Sequence, residues 1–169
     1  MDDHTLVPDA VPGPSPLVRR ARPHDLPRIV ELMREHTAYE KAAPPTADVA
    51  DRLGPLLFGT AAPPRLHCVV AELAGGEVVG YATCAAEMST WDAREYLHMD
   101  CLFLRDGSRG HGLGRQLLDA VVAVARELGL TEVQWQTPVW NEGAVRFYNR
   151  LGGGAKEKLR YTLPVPPIG

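Results

Sequence analysis

The glycines at 110, 112 and 114, set between Arg109 and Arg115, carry the plainest chemistry in this sequence. The loop Arg105-Asp106-Gly107-Ser108-Arg109-Gly110-His111-Gly112-Leu113-Gly114-Arg115 follows an apolar, β-favouring run and leads directly into a helical period. A strand, a glycine-rich loop and a helix N-terminus together make an anion site. Glycine lets the backbone approach closely, the first N–H groups of the helix lack partners within it, and the helix dipole favours negative charge. Both arginines add fixed positive charge, so a pyrophosphate suits the cradle. A dinucleotide fingerprint starting at Gly110 would need glycine where Arg115 stands, and a P-loop would need Gly-Lys-Ser/Thr, which is absent. A tight turn before a helix does not by itself demand three alternating glycines between two arginines.

Two titratable residues, His98 and Asp100, precede the loop on the same β-favouring run, and strand alternation puts them on one face. Histidine titrates naturally near neutrality. The neighbours of Asp100, namely Met99, Cys101, Leu102 and Phe103, are apolar, so burial among them would favour its protonated form. The residues alone do not choose between the two as a base, and a carboxylate paired with a nearby cation is an equal reading of Asp100.

The elements that must position these residues can be read from patterning. Leu17 to Ala21 reads as a first strand, followed by a helix that begins at an Asp25 cap, presents Leu26, Ile29, Val30 and Met33, and ends by Glu40. A second helical stretch starts from a Thr46 cap and runs until Pro63-Pro64 breaks it. Leu66 to Leu73 and Glu77 to Ala86 read as strands joined through Ala74-Gly75-Gly76, a hairpin signal, and Tyr96 to Leu104 is the next strand. From Gly112 to Leu128 the apolar residues keep a helical period that Gly129 stops. Thr131 to Thr137 is expected as a strand, Asn141 to Leu151 as a helix closed by Gly152-Gly153-Gly154, and Leu159 to Leu163 as a last strand. This order predicts an α/β fold, a mixed sheet with helices on both faces.

With 169 residues and 45% hydrophobic content the chain has the size and core of one domain. Residues 1–16 carry prolines at 8, 12, 14 and 16 and little to bury, so a solvated tail is expected there, with the folded domain over residues 17–164 and a short C-terminal tail over 165–169. A net charge of -3 gives no basic footprint for nucleic acid and suits a cationic small molecule better. The three cysteines lie in apolar runs and are expected as buried free thiols. No Cys/His spacing resembles a zinc site, so no metal is expected. No signal peptide or membrane-length apolar run appears, so the expectation is a cytoplasmic protein that binds no membrane.

The spacing Arg109-x-x-Gly112-x-Gly114 resembles the acetyl-CoA signature of the GNAT superfamily of N-acetyltransferases, and Trp140-Asn141-Glu142-Gly143-Ala144-Val145-Arg146-Phe147-Tyr148-Asn149-Arg150-Leu151-Gly152 resembles that family's second motif. The likeness spans roughly residues 17 to 163. It implies a centrally splayed sheet in which the pantetheine arm lies between Tyr96–Leu104 and Thr131–Thr137. It also implies acetyl-CoA as co-substrate, held by the loop from Arg109 through Gly110, His111, Gly112, Leu113 and Gly114 to Arg115, by backbone groups of Leu102 and Leu104, and by Asn141. Tyr148 matches the tyrosine that lies beside the coenzyme sulfur. A phenol, with a reference pKa about 10, is a sensible acid for a leaving thiolate whose thiol sits at about 8.5. An amine nucleophile must also lose a proton, and the likeness assigns that base to Asp100, with His98 competing.

Within the superfamily the chain is most similar to diamine and polyamine acetyltransferases. Trp140-Asn141-Glu142, Phe147-Tyr148, Tyr39-Glu40 and Trp91-Asp92 stand where those enzymes carry comparable pairs, and Cys101 departs from a second acidic residue. The acceptor implied is a small basic amine met by Tyr39, Glu40, Trp91, Asp92, Trp140 and Glu142. An aminoglycoside or a basic amino acid is the alternative substrate, and a protein lysine is a third. A non-catalytic acyl-CoA sensor, which could dispense with Tyr148, is the alternative class. Such enzymes often form homodimers, which the likeness extends to this chain.

Overall fold

Val69, Val70 and Ala71 follow one another with no polar residue between, a pattern suited to a strand covered on both faces. They form the buried centre of β2 (His67–Glu72). The computed structural model describes residues 15–60 and 64–166. Most of the expected N-terminal tail, Met1–Pro14, and the end of the C-terminal tail from residue 167 lie outside the described residues. The chain divides into one unit through Trp135 and a second from Gln136.

In the first unit, β1 (Leu17–Arg20), α1 (Leu26–Tyr39), α2 (Val49–Phe58), β2, β3 (Val78–Ser89), β4 (Arg94–Leu104), α3 (Leu113–Glu127) and β5 (Val133–Trp135) follow in that order. The strands lie side by side in sequence order, antiparallel except for the parallel β4–β5 pair, so the sheet is mixed. Ile29 and Leu32 of α1 and Leu53 and Leu57 of α2 form a core with Cys68, Val70, Tyr81 and Phe103 on one face. Period-two alternation turns Val69 and Ala71 to the other face, which α3 covers with Leu113, Leu117, Leu118, Val121, Val124 and Ala125.

Several boundaries depart from the sequence pattern. Asp25 holds the N-cap position of α1, but its side chain makes no cap there. Instead it is buried between two contacts from the Arg19 guanidinium, at 2.7 and 3.0 Å, and accepts the Arg22 N–H at 2.7 Å. α2 is entered from Asp48 rather than Thr46, whose hydroxyl donates to Asp48 Oδ1 at 2.5 Å. It stops at Phe58, well before Pro63-Pro64, because Gly59 turns extended just after Pro55 has removed a backbone donor from the helix. β3 and β4 run out to a Ser89–Arg94 pair, further than expected, since Glu87, Met88, Arg94 and Glu95 are exposed and only cross-strand pairing holds them. β5 is three residues rather than seven.

In the second unit Asn141 caps α4 (Glu142–Arg150), its Oδ1 accepting the Ala144 N–H at 3.2 Å. Gly152, at φ 84°, ends the helix in the left-handed region, and Gly153 N–H closes on Tyr148 C=O at 3.1 Å. The expected strand Leu159–Leu163 is not formed. Leu159, Tyr161 and Leu163 alternate as a strand would, but they are exposed and no described strand supplies a ladder, without which an extended segment is not sheet.

Candidate active site

Gly107, Gly110 and Gly112 take φ values of 85°, 85° and 77°, which non-glycine residues seldom adopt. A Cβ at Gly110 or Gly112 would meet nothing within 4 Å, so conformation and an open backbone, rather than crowding, demand glycine there. Gly112 is the N-cap of α3 and brings no capping side chain. The first amides of α3, at Leu113, Gly114 and Arg115, are therefore left without a side-chain partner from the cap, which fits a phosphate group. Leu113 is buried and anchors the turn, whereas His111 is exposed. Arg115 is engaged along its helix by Asp119, at 2.9 and 3.0 Å. Arg109 donates to Leu104 C=O at 3.2 Å, stands 3.3 Å from Asp106, and lies over the Tyr39 ring with Cζ 4.9 Å from its centroid. The end of α1 and the glycine loop thus meet.

β4 pairs with β5 only from Leu97 to Met99. Among the described residues no strand continues that pairing along Asp100–Leu104, the stretch that holds Leu102 and Leu104. The β4–β5 ladder thus ends at Met99, five residues before β4 itself ends at Leu104.

Asp100 sits in a bulge. Thr83 faces Cys101 and Cys84 faces Met99, so β4 spends an extra residue, Asp100, with no cross-strand partner. Thr83 and Cys84 point to opposite faces, and so must Cys101 and Met99. Asp100 and Cys101 consequently share the α1 face, where Cys101 Sγ donates to Asp100 Oδ2 at 3.7 Å. Asp100 is exposed, not buried among its apolar neighbours, and His98 is half-buried on the same face.

The sequence pattern missed a histidine at this place. His36, one turn before Glu40 on α1, stacks on Phe103 at 5.0 Å. Its Nδ1 is 3.0 Å from Tyr81 Oη and its Nε2 is 3.4 Å from Glu40 Oε1. Burial pushes its pKa below the ordinary imidazole value, and Arg109 adds to that, while Glu40 and Asp100 oppose it. The i, i+4 spacing to Glu40 was the available signal.

Tyr39, Glu40, Asp100 and Arg109 therefore gather at one end of the first unit. Trp91 and Asp92 do not join them. They lie in the β3–β4 turn, Trp91 97% exposed and Asp92 accepting the Ser89 hydroxyl at 2.8 Å. Asp100 is six residue steps along β4 from Arg94, roughly 20 Å of strand. Trp140, Asn141, Glu142 and Tyr148 belong to the second unit. There Glu142 pairs with Arg146 at 3.1 Å, and the Phe147 and Tyr148 rings tilt together at 5.1 Å.

Residues 27–153 match the family model described as Acetyltransferase (GNAT) family. The chain belongs to the GNAT acetyltransferase family. It is 31% identical to the thialysine N-epsilon-acetyltransferase of Bos taurus over 143 residues, 80% of this chain and 82% of that one. To the L-methionine sulfoximine/L-methionine sulfone acetyltransferase of Pseudomonas aeruginosa it is 31% identical over 139 residues, 80% of this chain and 78% of that one. The fold is that of an aminoglycoside acetyltransferase from an uncultured soil metagenomic sample, with a TM-score of 0.72 at 20% identity, covering 90% of this chain and 97% of that one. This GNAT acetyltransferase transfers an acetyl group, and GNAT enzymes take it from acetyl-CoA. Among the described residues no helix is long and apolar enough to cross a membrane.

Proposed function

We propose that this enzyme acetylates a primary amine of a small basic molecule, either a polyamine or an amino acid with a lysine-like side chain. The observation that carries the reading is the contact of the Arg109 loop with Tyr39, next in sequence to Glu40, which supports a carboxylate-bearing acceptor end beside an anion site. A carboxylate can pair with an ammonium remote from the reacting nitrogen, and that binding energy orients the nucleophile. The Bos taurus relative is named for a lysine analogue, which favours the lysine-like form.

Acetyl-CoA, when bound, supplies an acyl group on a good leaving thiol. The amides of Gly110 to Arg115 and the α3 dipole would hold its pyrophosphate, with Arg109 adding charge and Leu102, Leu104 and Asn141 offering polar groups to the pantetheine. Asp100 or His98 accepts the proton that the acceptor's ammonium loses before its nitrogen can attack. Tyr148 Oη holds the proton that the departing thiolate needs. Glu40 meets the second cation, with the aromatic face of Tyr39 beside it. A homodimer completes the reading, on family likeness, and light scattering checks it.

A thiol-release screen across lysine-like amino acids, polyamines, aminoglycosides, histone-like peptides and neutral amines tests the proposal. Highest kcat/KM with lysine-like amino acids or polyamines is expected. A preference for neutral or anionic amines refutes the acceptor class.

A further inference from the structure

Three side chains, His36, Tyr81 and Cys101, link the Glu40 and Asp100 carboxylates in one polar chain. Glu40 stands against His36 Nε2, at 3.4 Å, and His36 Nδ1 against the Tyr81 hydroxyl, at 3.0 Å. Tyr81 is also hydrogen-bonded to Cys101, whose thiol reaches Asp100 at 3.7 Å. Tyr81 is buried and Cys101 partly so, and desolvation pushes both up, the thiol to about 11, so each keeps its hydrogen at neutral pH. Such a chain can be wired in two directions. With neutral His36, Tyr81 donates to Nδ1, which fixes the hydrogen on Nε2, facing Glu40. With protonated His36, both ring nitrogens donate, and Tyr81 must turn its hydrogen toward Cys101.

We propose that His36 is a positioning residue: neutral, it aims the Glu40 carboxylate at the acceptor's distant ammonium, and protonated, it takes that carboxylate for itself. The proposal rests on the reading of the acceptor as a basic amine. Among the described residues the groups that face His36 are Glu40 at the C-cap of its own helix, Tyr81 on β3, Asp100, Cys101 and the stacked Phe103 on β4, and Arg109 on the loop. Only Glu40 both touches the ring and is free to change partners, because Tyr81 is held in the core and Asp100 acts from beyond Cys101. Protonation of His36 thus sets imidazolium against substrate ammonium for one carboxylate. The expected sign is a rising KM for a dication as pH falls, with kcat less affected.

The test compares cadaverine with pentylamine, which have the same chain length but two cations and one, using the full chain. His36→Phe keeps the stack on Phe103 and loses both polar contacts. It should raise the KM of cadaverine about tenfold at pH 8, several times more than that of pentylamine, with kcat within about twofold. His36→Gln can still accept from Tyr81 and donate to Glu40 but cannot titrate. It should keep a wild-type cadaverine KM at pH 8 and abolish the rise that wild type shows on the acid side of the ordinary imidazole value. In proton NMR, Glu40→Gln should lower the titration midpoint of the His36 ring, a readout independent of turnover. An acid rise in KM that persists in His36→Gln, an equal effect of His36→Phe on both amines, or an unchanged midpoint in Glu40→Gln overturns the proposal. Wild type that does not prefer cadaverine to pentylamine overturns the acceptor reading and this proposal with it.

Discussion

Arg109 lies over the face of Tyr39, its Cζ 4.9 Å from the ring centroid, so the last turn of α1 holds the charged side chain of the glycine loop. The contact joins the guanidinium to the end of α1. A cation–π pair at an exposed site is worth about 0.5–1 kcal/mol, so Tyr39→Leu should weaken coenzyme A binding by about two- to fivefold. Arg109→Ala should cost at least tenfold, roughly the loss of one charge-assisted phosphate contact. Titration calorimetry measures both, and an unchanged Kd in Tyr39→Leu would mean that the ring leaves Arg109 when the coenzyme binds.

Gly112 supplies both the left-handed turn and the uncapped start of α3. Gly112→Ala should cost about 1–2 kcal/mol of stability for its positive φ. Gly112→Glu adds an anion at the anion site and should abolish coenzyme A binding, with the circular dichroism spectrum retained. Equal affinity in the glutamate variant would remove the loop from the site.

The glycine loop and α3 were legible in the sequence because both signals are local, a run of alternating glycines and an apolar period unbroken from Leu113 to Leu128. The bulge at Asp100 was not, since an alternating strand and a bulged one read alike until the partner's register is known. Trp91-Asp92 looked like part of an acceptor site because chain order says nothing about how far a long hairpin carries its turn from the loop. His36 was passed over as one more polar residue on an amphipathic helix. What gives it a role is the hydroxyl of Tyr81, 45 positions later in sequence. At Leu159–Leu163 the reverse happened, alternation without a partner.

Asp25 gives the fold a dependence on acid. Burial pushes its carboxyl up, but the Arg19 guanidinium and the Arg22 N–H more than reverse that, and its pKa falls below the ordinary value. The resulting stability is present above the unfolded carboxylate's pKa, about 3.9, and is lost as pH falls through the lower folded value. Arg19→Met would leave a buried, unpaired charge, costing about 3–5 kcal/mol near neutrality. Thermal melts from pH 3 to 7 should show the gap between wild type and variant closing toward the acid end.

Tyr148 and Asp100 carry the proton steps of the proposed reaction. Tyr148→Phe should lower kcat by about 100-fold while acetyl-CoA affinity stays within a few-fold, the scale of a positioned acid. An unchanged kcat would return the ring to a packing role beside Phe147. Asp100→Asn should alter the pH profile of kcat/KM, and an identical profile would transfer the base to His98 or solvent.

The β4–β5 ladder is three residue pairs long, and Val133 and Trp135 are only half-buried. So short a ladder opens locally without the rest of the sheet, because little apolar surface is uncovered when it parts. In deuterium-exchange experiments the amides of Val133–Trp135 should therefore exchange early, while those of Val69–Ala71 wait for global unfolding. The β4–β5 ladder, three pairs against four, six and ten in the other ladders, is thus the seam of the sheet expected to part first.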